Sequence, residues 1–414
     1  VETGIDWNSV REWLVDHRDE MIDDLERLCA INSGSNHLAG LVRMEHELID
    51  YFKPLGIPCR KIWLPPYPSI DDFGRESEIQ TSHALRWDWD GADDAPRNRL
   101  LLSIHYDTVY GEDSSFQQCK RLVEKDEQRL RGPGVIDAKG GIVVLRWAML
   151  AAMRFLDRRS LSVSIVLTPD EEVGSPSSIN LWNEIAGDFA FAMLFEPTLA
   201  DGSLVSHRKG TGTYVFVLRG RSAHAGRNFH DGRNAILLAA KLATRVDSLN
   251  GQRDGVTINV GRIRGGDAVN VVPDLCVLRV NVRVTSPEDQ QWVHECLHEI
   301  VGEMQSPTEG FSISVHGGIH SPPKTIDETT HDWMESIERV GKELSHSIRW
   351  KGSGGASDGN KLAALGLCCI DTFGPEGDLL HSDQEWVRTA SLPEKSLLSV
   401  AVIEEFRRNA ARSE

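Results

Sequence analysis

Three apolar runs of strand length, residues 100–105, 162–167 and 189–195, each end in side chains that carry chemistry: His105 and Asp107, then Glu171 and Glu172, then Glu196. Strands buried on both faces read as short continuous apolar runs, and a charge directly behind one belongs at the strand's end. An apolar helical run over 141–156 separates the first two. The alternation predicts an α/β sheet, mostly parallel and flanked by helices. Open sheets of this kind bind ligands at their carboxyl edge, so the pattern draws these distant side chains to one rim.

Upstream, Val10, Trp13, Leu14, Ile22, Leu25 and Leu28 recur at helical spacing, predicting an amphipathic helix or helix pair over 7–30. A helix over 41–53 is stopped by Pro54 and Gly56, and a strand begins over 59–63. Residues 65–99 read as irregular and turn-rich, with an edge strand over 85–89 and a polar surface loop over 91–99; this long segment is expected to border the pocket. After about residue 208 the texture changes to strand 213–218, helix 234–248, strands 256–263 and 275–284, helix 287–304 and strand 311–315. That β-α-β-β-α-β order is ferredoxin-like. The α/β texture resumes with helix 329–344, a Gly-rich loop over 352–359, helix 360–365, strand 367–372 and a final helix from 393. The expected partition is a catalytic domain over 1–208 and 319–414, with an inserted lid or dimerisation domain over 209–318; 414 residues suffice for two cores.

Lys+Arg number 45 against Asp+Glu 62, a net charge of −17, which argues against a nucleic-acid partner. The most apolar stretch, 141–155, is too short for a bilayer and is interrupted by Arg146, so no membrane anchor is expected. The seven cysteines are scattered, and the neighbours Cys368 and Cys369 read as thiols rather than a bridge. A cytoplasmic setting is expected; beginning at Val1 without Met, a chain that had lost a signal peptide would be periplasmic or secreted.

Residues two apart at a strand end point the same way, so Asp107 can accept a hydrogen bond from the His105 ring nitrogen that faces away from a metal. The plain alternative is a capping Asp beside an unrelated His. Asp137, in a Gly-rich turn before the helix, reads equally as an N-cap. Asp170, Glu171 and Glu172 would ordinarily form a solvated loop, but beside a histidine at a sheet edge they repel one another unless a cation is present. His381 alone reads as structural. Together, two histidines and three carboxylates suit zinc, and one bridging carboxylate gives each of two ions three protein ligands. Two Zn²⁺ carry four positive charges, which Asp137, Glu172, Glu196 and a hydroxide cancel.

In this order the motifs resemble the di-zinc aminoacylase and carboxypeptidase family that includes acetylornithine deacetylase, succinyl-diaminopimelate desuccinylase and bacterial glutamate carboxypeptidase. The resemblance covers nearly the whole chain. It implies that His105 and Glu196 bind one zinc, that Glu172 and His381 bind the other, and that Asp137 bridges them, with Co²⁺ or Mn²⁺ as acceptable substitutes. It also implies that Asp107 orients His105, that Glu171 is the general base, and that the Asp137-Ala138 bond is cis. The segment Ser222-Ala223-His224-Ala225-Gly226 is similar to the family's lid motif, implying that His224 stabilises the oxyanion in a partner subunit's site within a homodimer paired through the inserted domain. Asn270, Arg283, Gly354 and Gly355 match positions that hold the substrate carboxylate, although Ala356 and Ser357 depart from the usual Gly and Thr. Six basic residues between Arg208 and Arg233, against the single acid Asp231, independently suggest an anionic ligand. The alternative for them is an edge strand guarded by basic side chains.

Two competitors remain. His294-Glu295-Cys296-Leu297-His298 matches HExxH, the signature of a single-zinc protease, but both histidines flank the helix's apolar stripe on its solvent side and no third ligand follows. A serine hydrolase is weaker still, although Gly355-Ala356-Ser357-Asp358-Gly359 spells G-x-S-x-G. The expected activity is hydrolysis of an amide bond in an N-acyl amino acid or short peptide bearing a free carboxylate, by a zinc-bridging hydroxide with a Glu base. Biosynthetic N-deacylation is the alternative, and a catalytically silent binding homologue is the rival from another class.

Overall fold

The apolar runs lie in the middle of a six-stranded sheet in the computed structural model, which describes residues 4–91, 99–124, 127–157, 161–305 and 307–412. Its order is Cys59–Ile62, Ala84–Trp89, Ser162–Thr168, Arg99–His105, Phe191–Leu194, Cys369–Ile370. The last four are parallel; the first two join antiparallel. Leu100, Leu102 and Ile104 face a core built with helices Trp7–Asp16, Arg18–Cys29, Lys139–Phe155 and Ser391–Arg412. Leu101 faces the other side, with Leu181 and Trp182 of Ser178–Ile185 and Leu362 of Asp358–Ala364. Burial on both faces is why these strands read as unbroken apolar runs.

A second core stands apart. Strands Thr257–Gly265, Leu275–Val284, Gly210–Arg219 and Ser312–Ser321 form, in that order, an antiparallel sheet, with helices Ala235–Asp247 and Pro287–Met304 on one face. The expected ferredoxin-like order is present. Along Leu275–Val284 the even positions, from Cys276 to Val284, are buried against the helices, and the odd positions face the other way.

The 7–30 stretch is the helix pair, parted at His17. Other expectations need correction. The strand expected at an edge, Ala84–Trp89, is paired on both sides; its polar positions misled because Arg86 Nε donates to Asp88 Oδ1 at 2.7 Å within the sheet. The irregular segment contains a hairpin, Tyr67–Ile70 with Glu76–Ile79. Of the polar loop expected over 91–99, residues 92–98 lie outside the described residues. Strand 311–315 extends to Ser321, because Gly317 and Gly318 continue the pairing instead of ending it. A further sheet, Gly377–Asp378, Trp386–Arg388, Glu127–Arg131 and Lys120–Glu124, has no apolar alternation in sequence because its strands are dense in charge. Among the described residues, no helix is long and apolar enough to cross a membrane.

Candidate metal centre

Three adjacent strands deliver side chains to one edge. His105 ends Arg99–His105, Glu171 and Glu172 follow Ser162–Thr168, and Glu196 follows Phe191–Leu194. Asp137 comes from the turn before helix Lys139–Phe155, and His381 from the loop after Gly377–Asp378. Gly141 in that helix lets it approach the Glu196 strand, since a Cβ there would stand 2.0 Å from the Phe195 carbonyl oxygen.

His105 Nε2 lies 3.1 Å from Asp137 Oδ1 and 3.8 Å from Glu196 Oε2. His381 Nε2 lies 3.3 Å from Asp137 Oδ2 and 3.3 Å from Glu172 Oε2. Asp137 therefore presents one oxygen to each histidine. The Asp137-Ala138 peptide bond is cis. Leu379 and His381 both adopt left-handed backbone, φ 62° and 60°, a conformation costing non-glycine residues about 1 kcal/mol or more, so the surrounding fold must hold that loop.

Asp107 is buried and fully used. Its Oδ1 lies 3.2 Å from His105 Nδ1, and the carboxylate accepts the Glu171 and Glu172 backbone N–H groups at 3.1 and 3.2 Å and the Ser35 hydroxyl at 2.6 Å. The three consecutive acids divide their work. Asp170 turns inward to accept Ser177 N and Ser178 N at 2.7 and 3.1 Å, at the start of helix Ser178–Ile185, leaving Glu171 and Glu172 at the rim.

The electrostatics ask for positive charge. Burial, then the Asp137 charge, pushes Glu172 up to about 8; burial pushes Glu171 up to about 7 and raises Glu196 well above the carboxylate range. Hydrogen bonds to Asp137 and Glu172 lift His381 to about 11. Burial opposes ionisation of Asp137 too, but hydrogen bonds from His105 and His381 outweigh it and hold its pKa down. The inner oxygens Glu172 Oε1 and Glu196 Oε1 are buried without a hydrogen-bond partner. Orphaned carboxylate oxygens beside two imidazoles are a donor set that fits divalent cations of the zinc type. His105, Asp137 and Glu172 offer ligand atoms all within 4.8 Å of one another.

Several supporting residues escaped the sequence reading. Glu385 accepts backbone N–H groups from Ile136 and Asp137 on Oε1, at 2.9 and 3.2 Å, and Gly134 N–H and the Tyr110 hydroxyl on Oε2, at 3.2 and 2.5 Å. It thereby holds the turn that carries Asp137. Behind Glu171, Lys361 Nζ pairs with Asp358 Oδ1 at 3.0 Å, both buried. Arg208 and Lys324 share buried Asp371 at 2.6 and 3.3 Å. The available signal was slight: Lys324 and Asp371, for example, are lone charges beside apolar residues, and Glu385 gives none.

The substrate-side residues form two groups. Arg283 Nη1 donates to Gly354 O at 3.3 Å, and Arg208 Nη1 to Gly355 O at 3.1 Å. His224 and Asn270 are exposed and linked by Ala225 N donating to Asn270 O at 3.0 Å; no described contact joins either to the cluster within one chain. The basic segment 208–233 does not form one anion site. Arg208, at the end of Leu204–Arg208, is buried on Asp371, Lys209 bonds Gly255 O and Arg219 bonds Gly74 O; Gly210–Arg219, which carries Arg219, is internal rather than an edge. His294 and His298 are both exposed on helix Pro287–Met304, whose buried side is Val293, Leu297, Ile300 and Val301.

The sequence profile described as peptidase family M20/M25/M40 matches residues 101–405. Carboxypeptidase G2 of a Pseudomonas species is 27% identical over 312 residues, 73% of this chain and 73% of that protein. Acetylornithine deacetylase of Myxococcus xanthus is 29% identical over 236 residues, 54% of this chain and 60% of that one. The crystal structure of an M20 family metallo-carboxypeptidase, Sso-CP2 of Sulfolobus solfataricus, superposes with a TM-score of 0.73 at 14% identity, covering 94% of this chain and 99% of that chain.

Proposed function

The chain belongs to peptidase family M20/M25/M40, a metal-dependent hydrolase of amide bonds in peptide-like substrates, and from that premise we propose the following division of labour. His105 and Glu196 hold one zinc ion, His381 and Glu172 a second, and Asp137 bridges them. The observation that carries this reading is the Asp137 carboxylate, with one oxygen facing each histidine. When bound, the paired cations lower the pKa of a shared water and polarise the scissile carbonyl. Glu171 takes a proton from the attacking water and returns it to the departing nitrogen, a general-base role that a buried carboxylate at the edge of the cluster suits. Asp107 fixes the His105 ring and, through the 171–172 backbone, the direction of both glutamates.

The substrate is an N-acyl amino acid or short peptide with a free carboxylate, held by Arg283 beside Gly354 and Gly355. The metal ligands and the Glu171 base belong to 1–208 and 319–414. The inserted domain, 209–318, pairs two chains, so that His224 and Asn270 reach the partner subunit's site and His224 stabilises the oxyanion. Their exposure, and the lack among the described residues of any contact with the cluster in their own chain, favour that arrangement. The seven free cysteines favour a reducing cytoplasm. Biosynthetic N-deacylation uses the same amide geometry, and the acetylornithine deacetylase relative keeps it as the second reading.

A panel of dipeptides and N-acyl amino acids, each with a free and an amidated carboxyl group, tests the proposal. Cleavage of the free acids only is expected, with dipeptides turned over fastest for a carboxypeptidase and N-acetyl amino acids for a deacylase. Equal cleavage of amidated substrates would remove Arg283 from its role.

A further inference from the structure

A cavity of about 730 Å³ lies between the Tyr67–Ile79 hairpin and the open face of the inserted domain's sheet. Its floor is Val215, flanked across the sheet by Arg279 and His316. Its walls are Tyr67, Ile70 and Ile79 of the hairpin and Val173 and Pro176 of the chain that follows Glu172. The hairpin closes one end. Ile70 packs on Val215, Val217 and Val277, Arg219 donates to Gly74 O at 3.2 Å, and Asp72 pairs with Arg262 and Arg279.

The other end leads to the metal centre. A neighbouring cavity that includes Glu172 shares Asn36 and Val173 with this one. Arg283 lies on the same sheet face, four residues along the strand from Arg279, about 13 Å at strand rise. An N-acyl amino acid with its carboxylate at Arg283 covers about half of that span when extended, and a bulky acyl group supplies the further reach into the cavity.

The lining favours apolar matter. The Arg279 guanidinium is already committed to Ile70 O at 2.7 Å and to Asp72. His320 is neutral near pH 7, since burial and the charges of Lys361 and Arg283 hold it at about 4. Glu76 is exposed, Ser69 and Thr213 offer hydroxyls, Asn36 an amide, and His316 a ring already 3.1 Å from Ser314 Oγ. Pockets of this size with apolar walls and few polar groups suit aromatic or branched ligands.

Resting on the amide-hydrolase reading above, we infer that this cavity is the acyl-side subsite and selects aromatic or branched-aliphatic acyl groups or N-terminal residues over acetyl. The hairpin that the sequence hides in an irregular segment is then a specificity element.

The test uses the metal-loaded full chain and the N-acetyl, N-isovaleryl and N-phenylacetyl forms of whichever amino acid the panel favours. From acetyl to phenylacetyl, kcat/KM is expected to rise about tenfold or more, mainly through KM. Val215→Trp and, independently, Ile79→Trp fill the cavity from opposite walls and should bring that ratio to within about threefold of one; far-UV circular dichroism identifies a variant that has not folded, and the other then decides. A wild-type ratio near one, or a ratio that survives a folded variant, overturns the assignment. If none of the three is cleaved, the hydrolase reading fails separately only when the dipeptides of the panel are also left intact. Calorimetric titration with the phenylacetyl and acetyl amino acids then decides the cavity: tighter phenylacetyl binding, lost in the folded variant, supports it, and equal binding overturns it.

Discussion

Glu385 illustrates what a single residue does for this site. Four donors converge on its two buried oxygens, three of them backbone N–H groups of the turn that carries Asp137. Gln in its place would turn an N–H₂ group toward donors. Glu385→Gln is therefore expected to weaken zinc binding about 10- to 100-fold, measured by chelator competition, while the ligands themselves are untouched; unchanged affinity would make Glu385 a structural residue only. Of the proposed ligands, His105, Glu172 and Glu196 were legible in sequence because metal chemistry restricts residue type and each follows an apolar run, whereas Asp137 and His381 were drawn in by the resemblance. Glu385 was not legible, since its partners lie about 250 positions away and a lone Glu near His381 has no local signature. His224, Asn270 and Arg283 were named from resemblance, and one chain alone does not join the first two to the cluster.

Helix Leu38–Tyr51 is anchored through Glu45, buried beneath it. Its carboxylate accepts the Ser82 hydroxyl at 2.6 Å and pairs with Lys61 at 2.6 Å and His83 at 3.0 Å, tying the helix to the start of the sheet. Burial opposes its charge, but the Lys61, Ser82 and His83 hydrogen bonds prevail and lower its pKa to about 2 from 4.5. A depressed carboxylate stabilises the fold fully above the unfolded pKa and loses that contribution as pH falls toward the folded one. The stability gap between the wild type and Glu45→Gln, from urea unfolding, should therefore shrink between pH 6 and pH 3 by about 1–2 kcal/mol, allowing for screening at the part-exposed Lys61 and His83. A gap that does not change with pH would contradict this. Elements buried on both faces announced themselves, as did the ferredoxin-like order with its alternating strands. The hairpin at 67–79 and the charged strands at 120–131 did not, because their strands are four or five residues long and bury at most one residue each, with no alternating buried face to leave a period in the sequence.

At the scale of the whole molecule, the account requires two chains. Glu171→Gln and His224→Ala homodimers should each be nearly inactive, for different reasons. Mixed and exchanged, they form hybrids with one intact site, so about a quarter of wild-type activity is expected to return for random pairing of a symmetric dimer; no recovery after verified exchange would return His224 to its own chain or remove it from catalysis. The central claim is a single cage for paired cations, bridged by Asp137. The most direct measurement is calorimetric titration of metal-free protein with zinc, alongside Asp137→Ala. Two ions per wild-type chain and at most one, weakly held, in the variant are predicted; one ion per wild-type chain, or two that survive the loss of Asp137 unchanged, would contradict it.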